Sequence, residues 1–251
     1  MSGFASAFLT SAVAAAKVAS LDLCADEYLL LLARPAEIAS VSRVGRDRED
    51  SFLWRRAARF ATNDGTVEGL IGTRPMIALR TGGRGRASEA IAVRLGIRTV
   101  TLAYPATIAE VAANMRQVAT LLGNPHRADW WTARLDRLSV NPPATRDTIF
   151  LSGGGQSVAV PSLGADWMRL AGFAQRPLPQ ARASLEQLAT RPSAVLLTST
   201  YRAGQASLGQ RWADHPLVRN LPSRRVTTDG RPWTCAGPMM LFEVERLRAR
   251  R

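Results

Sequence analysis

Five side chains of this sequence are suited to bind an anionic, partly aromatic ligand, namely Arg80, Arg84, Tyr201, Arg202 and Trp233. Arginine can bind carboxylate or catecholate oxygens through two hydrogen bonds, while tyrosine and tryptophan offer flat apolar faces. All five lie in turns that follow predicted strands. Because ligands of parallel α/β sheets bind beyond the carboxyl ends of the strands, we expect these residues to lie along a common edge. For each one alone, a role in a turn or in packing is equally compatible with the sequence.

Other site chemistries lack the residues that they need. A Walker phosphate loop requires a lysine after its glycines, but Lys17 is the only lysine. The run GGRGRAS resembles a dinucleotide-binding turn, but Ser88 stands at its third small position and no acidic residue ends the next strand. The two histidines, His126 and His215, cannot provide a three-histidine zinc site, and no G-x-S-x-G elbow occurs. The sequence therefore predicts no enzyme, no resident metal and no cofactor.

A repeated pattern organises the chain around these residues. Residues 66–82 are TVEGLIGTRPMIALRTG, and residues 184–200 are SLEQLATRPSAVLLTST. Each copy predicts a helix that ends before Pro75 or Pro192, then a tight turn and a strand buried on both faces. The wide spacing of the copies indicates two similar α/β halves and not a short-period repeat. A chance resemblance between two helix-turn-strand units is the alternative.

Alternating predicted strands and helices indicate an α/β fold with parallel sheets. We expect two Rossmann-like lobes, residues 17–123 and 145–251, with a ligand cleft between them. Residues 124–144 contain HRADWWTARLDRLSV, which predicts a single connecting helix between two proline-containing breaks. Residues 47–62 are charged with interleaved aromatic residues, and predict either a helix or a loop at the edge of the cleft.

The composition is that of an ordinary globular protein except for its charge. The 251 residues contain 33 Lys and Arg against 20 Asp and Glu, a formal net charge of +13. Such a balance can indicate nucleic acid, a membrane surface or an anionic ligand as the partner. The arginines are scattered, with no basic run and no RNA-binding aromatic signature, so the sequence does not favour nucleic-acid binding.

The N-terminal segment and the two cysteines bear on the cellular compartment. Residues 1–16 are uncharged and mostly apolar, and Ala14-Ala15-Ala16 fits the A-x-A pattern, which predicts a signal peptide cleaved after Ala16. An apolar N-terminal helix is the alternative. Cys24 and Cys235 are compatible with one disulfide in an oxidising compartment, and equally with two buried free thiols.

Four segments occur in the order VASLDLCADEYLLLLARPAEIASVS, VEGLIGTRPMIAL, LGIRTVTLAYPATIAEVAANMRQVATLLG and PWTCAGP. In this succession, nearly the whole chain resembles the periplasmic substrate-binding proteins of ABC transporters, of the class that delivers ferric siderophores, haem and cobalamin. The resemblance implies two α/β lobes joined by one long helix, although the segment with Trp130 and Trp131 is short for that helix. It also implies a monomeric, non-enzymatic periplasmic protein, peripheral to the membrane, that delivers its ligand to a permease dimer and binds no nucleic acid.

The same resemblance gives the repeat a role. Members of this family carry one exposed glutamate on each lobe, which meets arginines of the permease, and Glu68 and Glu186 occupy the matching positions here. Cobalamin-binding relatives carry a tryptophan shortly before each glutamate, whereas FATNDGTVE and PLPQARASLE have none. The expected ligand is therefore an anionic ferric siderophore, with haem and cobalamin as further candidates. A two-lobe α/β enzyme that acts on a small anionic substrate is the alternative function.

Overall fold

The N-terminal lobe contains a five-stranded parallel sheet with the strand order β3-β2-β1-β4-β5. The computed structural model describes residues 16–82, 86–200, 212 and 214–250. In this order the chain turns back between β1 and β4, as in Rossmann-like folds. The strands are β1 Val18–Ser20, β2 Ile38–Ser42, β3 Thr62–Asn63, β4 Ile77–Thr81 and β5 Arg98–Leu102.

Polar side chains fix where the longer helices of this lobe begin. Asp22 accepts a hydrogen bond at 2.9 Å from the backbone N–H of Ala25, and Thr107 accepts one at 3.2 Å from that of Glu110. These caps satisfy backbone donors that a helix start leaves without partners. The helices are α1 Leu23–Leu32, α2 Trp54–Ala57, α3 Arg86–Arg94 and α4 Ile108–Leu121.

The C-terminal lobe repeats this architecture with a four-stranded parallel sheet of order β7-β6-β8-β9. Its strands are β6 Arg146–Leu151, β7 Phe173–Gln175, β8 Val195–Thr200 and β9 Arg224–Asp229. Its helices are α6 Leu163–Ala171, α7 Leu185–Thr190, α8 Pro216–Arg219, α9 Gly230–Cys235 and α10 Met240–Ala249. The predicted α/β class with two parallel sheets is confirmed.

Helix α5, Asp129–Val140, stands between the two sheets in the chain. Just before it, Arg127 donates to Glu37 of the N-terminal lobe, with 2.8 Å between Nη2 and Oε1. Within the helix, Arg134 donates to Glu245 of α10, with 2.6 Å between Nε and Oε1. These two ion pairs fix the connecting helix to both lobes.

One hydrophobic core extends through both lobes. It joins helices α1 and α4 of the N-terminal lobe to α6 and α10 of the C-terminal lobe, and smaller clusters cover the opposite face of each sheet. Each large apolar side chain buried in this way contributes about 1.5–3 kcal/mol relative to an exposed one. The lobes are therefore held together by hydrophobic packing as well as by the chain segment that connects them. The shared core includes Tyr28, Leu29, Met115, Val118, Trp167, Met168, Met240, Leu241 and Val244.

The two copies of the repeated pattern differ in their helix. The second copy forms α7, where Ser184 accepts a hydrogen bond at 3.1 Å from the backbone N–H of Gln187. The helix expected in the first copy is wrong, because only a short 3-10 helix forms at Glu68–Leu70. Gly69 and Gly72 explain the difference, since each glycine costs a helix about 1 kcal/mol relative to alanine.

Within the described ranges, no helix is both long enough and apolar enough to cross a membrane.

Candidate functional site

The carboxyl ends of the strands in both lobes form the edge at which we expected the ligand-binding residues. Arg80 lies in β4, and Trp233 lies in α9, which directly follows β9. The other three predicted contacts, Arg84, Tyr201 and Arg202, lie outside the described residues.

Arg80 has partners within its own lobe. Its Nε donates to Thr101 Oγ1 at 3.1 Å, and its Nη2 lies 3.3 Å from Glu89 Oε1. The Arg80 side chain is 13% exposed, whereas that of Glu89 is 56% exposed. These two hydrogen bonds use only part of the Arg80 guanidinium, because an arginine has five N–H donors.

Trp233 is packed more firmly than the sequence suggested. Its indole N–H donates to Thr228 Oγ1 at 2.8 Å, and its ring lies 4.9 Å from that of Phe150 between centroids. The ring also packs against the shared core. Trp233 therefore supports the C-terminal edge, with only part of its surface left for a ligand.

A cavity of about 690 Å³ opens between the lobes, and both lobes line it. Its volume is in the range of small-molecule sites in proteins, roughly 300–1,000 Å³. The N-terminal lobe contributes the segment after β2, and the C-terminal lobe contributes the ends of β8 and β9 together with α10. The lining residues are Arg48, Glu49, Phe52, Trp54, Arg55, Thr200, Thr227, Thr228, Asp229, Arg231, Phe242, Glu243, Arg246 and Arg250.

Arg231 connects the two walls of this cavity. Its Nη2 donates to Asp229 Oδ2 at 2.6 Å, and its Nη1 donates to the carbonyl oxygens of Arg48 at 3.1 Å and Ser51 at 3.4 Å. The hydrogen bonds to Asp229 raise the pKa of the Arg231 guanidinium. The guanidinium also lies 5.5 Å from the ring centroid of Phe52. A C-terminal arginine thus holds the N-terminal wall in place.

A buried carboxylate supports the C-terminal wall. Glu243 is 1% exposed and accepts hydrogen bonds from the Thr228 hydroxyl and from Arg246 Nε at 2.8 Å. The same carboxylate raises the pKa of Arg246. Since Trp233 donates to Thr228, these four side chains form one continuous hydrogen-bonded network.

Aromatic rings and the Arg55 guanidinium form part of the N-terminal wall of the cavity. Phe52 stacks on Phe242 of the other lobe with 6.4 Å between centroids, and the Arg55 guanidinium lies 5.1 Å from the Trp54 ring. Among the described residues, Arg55 forms no ion pair. The Arg55 side chain is exposed and lines the cavity.

The sequence did not single out Phe52, Trp54 and Arg55 as site residues. They lie in the segment that we interpreted as a helix or a loop at the edge of the cleft. Helix α2 there has only four residues, and the rest is irregular. The sequence signal that could have identified them is the mixture of arginines and aromatic residues in this segment. That mixture has no periodicity, so it predicts no regular element.

A disulfide joins the lobes beneath this edge. Cys24 near the start of α1 is bonded to Cys235 at the end of α9, with 5.4 Å between their Cα atoms. Glu27, one turn further along α1, is fully buried and accepts a hydrogen bond from the backbone N–H of Met239. Burial raises the pKa of this carboxyl well above its usual range. A Cβ atom placed on Gly237 would lie 2.9 Å from Glu27 Oε2, so only glycine permits this close approach without displacement.

The two glutamates assigned to docking are both exposed. Glu68 begins the 3-10 helix before β4, and Glu186 lies in the first turn of α7 before β8. They therefore occupy matching places in the two lobes. Glu68 also lines a smaller cavity of about 320 Å³ in the N-terminal lobe, together with Asp22, Thr66, Arg80 and Ser88.

Among the residues that the structure describes, no group of three or more His, Cys, Asp or Glu side chains is placed to hold a metal ion.

The sequence matches no protein-family model and no curated protein. The structure is similar to a periplasmic heme-binding protein from Pseudomonas aeruginosa, with a TM-score of 0.69 and 17% identity over 94% of this chain and 92% of that one. It is similar to the heme-binding protein HutB of Vibrio cholerae, with a TM-score of 0.69 and 17% identity over 93% and 98%. It is also similar to the heme-binding protein BhuT in complex with two hemes, with a TM-score of 0.68 and 17% identity over 94% and 97%. The fold is that of two-lobe periplasmic substrate-binding proteins.

Proposed function

We propose that this protein is the periplasmic solute-binding component of an ABC importer, and that it captures a metal chelate between its lobes. The observation that carries the proposal is the cavity of about 690 Å³ that both lobes line with arginines and aromatic rings. A cavity built from two lobes exposes a ligand at one edge, where a membrane permease can receive it. In this role the protein carries its ligand and does not transform it.

The chemistry of the cavity favours an anionic chelate. Arg55 lines this cavity and has no ion-pair partner among the described residues, while Arg80 lines the smaller cavity of the N-terminal lobe. Hydrogen bonds between charged partners contribute about 1.5–3 kcal/mol each. A ferric siderophore with catecholate or carboxylate oxygens would supply such anionic partners for the arginines. We propose Arg84, Tyr201 and Arg202 as further contacts of this ligand.

Haem is the second candidate, since three structures with this fold are described as heme-binding. Its carboxylates suit the same arginines, and its macrocycle suits the aromatic wall. Cobalamin is the least favoured ligand, because the tryptophans expected before Glu68 and Glu186 in cobalamin binders are missing from this sequence.

Titration of intrinsic fluorescence with a ferric tris-catecholate, a ferric trihydroxamate, haem and cyanocobalamin tests the proposal. We expect at least one iron chelate to bind, and we expect Arg55→Ala and Arg80→Ala to weaken that binding by about ten- to a hundredfold. Arg116→Ala is the matched control, because it removes the same charge from the exposed face of α4. If the native protein binds none of the four chelates, the proposed function is wrong.

We also propose that Glu68 and Glu186 dock the loaded protein on a two-fold permease. Their matching places on the two lobes suit a partner with two equivalent basic sites. On a chain with net charge +13, such acidic positions also help to orient the encounter.

A further inference from the structure

Tyr104 differs from the other exposed aromatic side chains. In the described part of the chain, the aromatic residues that expose a third or more of their surface are Phe52, Tyr104 and Trp130. Phe52 stacks on Phe242, and Trp130 contacts both Trp131 and the Arg134 guanidinium. Among the described residues, Tyr104 makes no such ring or cation contact, although it is 67% exposed.

The backbone nevertheless provides a place for the Tyr104 ring. Gly82 follows β4 and donates its N–H to the carbonyl of Leu102 at 2.8 Å, which brings it beside the end of β5. A Cβ atom on Gly82 would lie 1.9 Å from Tyr104 Cε2, and Gly82 has a φ of +58°. Any other residue at position 82 would displace the ring and strain the backbone. Pro105 further restricts the backbone of Tyr104 to extended angles.

The Tyr104 ring lies at the carboxyl edge of the N-terminal sheet. Tyr104 lies two residues beyond β5, and Gly82 lines the smaller cavity together with Asp22 and Arg80. A ring with most of its surface exposed contributes little to the core. Its position against Gly82, which lines the smaller cavity, is suited instead to contact a bound molecule.

We propose that Tyr104 is a specificity-determining residue that stacks on a flat conjugated ring of the ligand. The inference rests on the proposed function and deepens it, because it selects chelates with an aromatic face over purely aliphatic ones. Catecholate rings and the porphyrin macrocycle share this chemistry, whereas a trihydroxamate of aliphatic chains lacks it. Tyr104 supplies the apolar face, and Arg80 on the neighbouring strand supplies positive charge.

Binding of the same four chelates to Tyr104 variants tests the proposal. Tyr104→Ala should weaken binding of the ferric catecholate or of haem about two- to twelvefold, the range expected for one aromatic pair. Tyr104→Phe keeps the ring and should bind like the native protein. Trp130→Ala, which removes an exposed aromatic residue from α5, is the matched control and should change nothing. Equal losses for the Phe and Ala variants would assign the contact to the hydroxyl and overturn stacking.

A double-mutant cycle isolates the role of Gly82. Gly82→Ala should weaken binding in the native background but have no further effect in the Tyr104→Ala background, because it acts by displacing the ring. A loss that persists in both backgrounds would show that Gly82 acts on the fold and not through Tyr104. Unfolding measurements on each variant separate this outcome from general destabilisation.

Failure of the inference and failure of the proposed function give different results. If the native protein binds a chelate and Tyr104→Ala binds it equally well, only the inference is wrong. If the native protein binds no chelate, iron-free 2,3-dihydroxybenzoate is titrated against protein with isotope-labelled tyrosine. An upfield NMR shift of the Tyr104 ring, lost in Gly82→Ala, supports a stacking site, and no shift overturns it.

Discussion

A single buried carboxyl, that of Asp26, connects three elements next to the candidate site. It accepts hydrogen bonds from the backbone N–H of Ser42 at 3.0 Å and from the hydroxyls of Ser20 and Ser42. These bonds join α1 to the ends of β1 and β2. Burial outweighs them and raises the pKa of Asp26 to about 7. A Cβ atom on Gly45 would lie 2.1 Å from Asp26 Oδ2, so the neighbouring turn requires glycine.

The raised pKa of Asp26 predicts a pH-dependent stability. Between about pH 4 and pH 7 the folded protein holds a proton that the unfolded chain releases, so this stabilisation is full below pH 4 and is lost as the pH rises to 7. A shift of about three units corresponds to about 4 kcal/mol. We expect Asp26→Asn to reduce this dependence, as measured by urea unfolding at pH 4 to 8, while the part that comes from the buried Glu27 carboxyl remains.

An exposed carboxylate provides the control for that measurement. Asp136→Asn on the outer face of α5 should leave the dependence of the unfolding free energy on pH unchanged. If Asp26→Asn shows the same dependence as the native protein, Asp26 does not carry the proton in the folded state.

At the scale of elements, the link from α9 to the loop after β2 fixes the walls of the cavity. Arg231, near the start of α9, makes two hydrogen bonds to backbone carbonyls of the other lobe while it pairs with Asp229. Lysine cannot reproduce this arrangement, because its ammonium lacks the planar fork of donors. Arg231 therefore helps to hold the loop after β2 against the C-terminal lobe, together with the stacking of Phe52 on Phe242.

Replacing this arginine should loosen the interface measurably. We expect Arg231→Ala to lower the free energy of unfolding by about 1–3 kcal/mol, and Arg231→Lys to recover only part of the loss. Arg169→Ala is the control, because its pair with Asp166 spans 4.0 Å at the surface and should contribute less than about 1 kcal/mol. Equal losses for Arg231→Ala and Arg169→Ala would contradict the interlobe role.

Most regular elements could be predicted from the sequence, except the helix of the first repeat copy, whereas most side-chain contacts between the elements could not. Apolar runs such as those of β4 and β8 identify buried strands, and the order of strands and helices indicates the α/β class. Nothing in the sequence around Trp233 showed that its indole bonds Thr228 and packs on Phe150, since those partners are remote in sequence. The cavity wall formed by Phe52 and Arg55 could not be predicted either, because the irregular segment that contains them has no hydrophobic periodicity.

At the scale of the whole molecule, the proposed docking depends on the pairing of the two lobes. Glu68→Ala and Glu186→Ala should each slow ligand uptake into vesicles that contain the permease, and the double variant should slow it further. Rim charges act mainly on the association rate and its dependence on salt, so the double variant should also respond less to ionic strength.

Ligand affinity distinguishes docking from recognition in these variants. It should stay unchanged in Glu186→Ala and in Glu68→Ala. A loss of affinity in Glu68→Ala would assign this residue to the ligand site, beside the small cavity that it lines. Unchanged uptake in both single variants and in the double variant would instead leave the glutamates as ordinary solvated residues.

The disulfide between the lobes predicts a large effect on stability. Its cysteines are 211 residues apart, and in the chain-entropy model a crosslink of that span stabilises by about 5 kcal/mol. We expect the double variant Cys24→Ser, Cys235→Ser to lose about 2–5 kcal/mol in urea unfolding. A thiol reductant should lower the native protein to the level of the variant and leave the variant unchanged. No difference between the two proteins without reductant would contradict the prediction.

The long separation of Cys24 and Cys235 in the sequence also determines how late in synthesis their disulfide can form. A chain that emerges from its N-terminus presents Cys24 long before Cys235, so the first thiol stays without its native partner until most of the chain has emerged. Throughout that interval, the faces of α1 and α4 that will meet α6 and α10 have no partner lobe to cover them. The native disulfide can therefore close only after Cys235 has emerged, when both lobes are present to cover these faces.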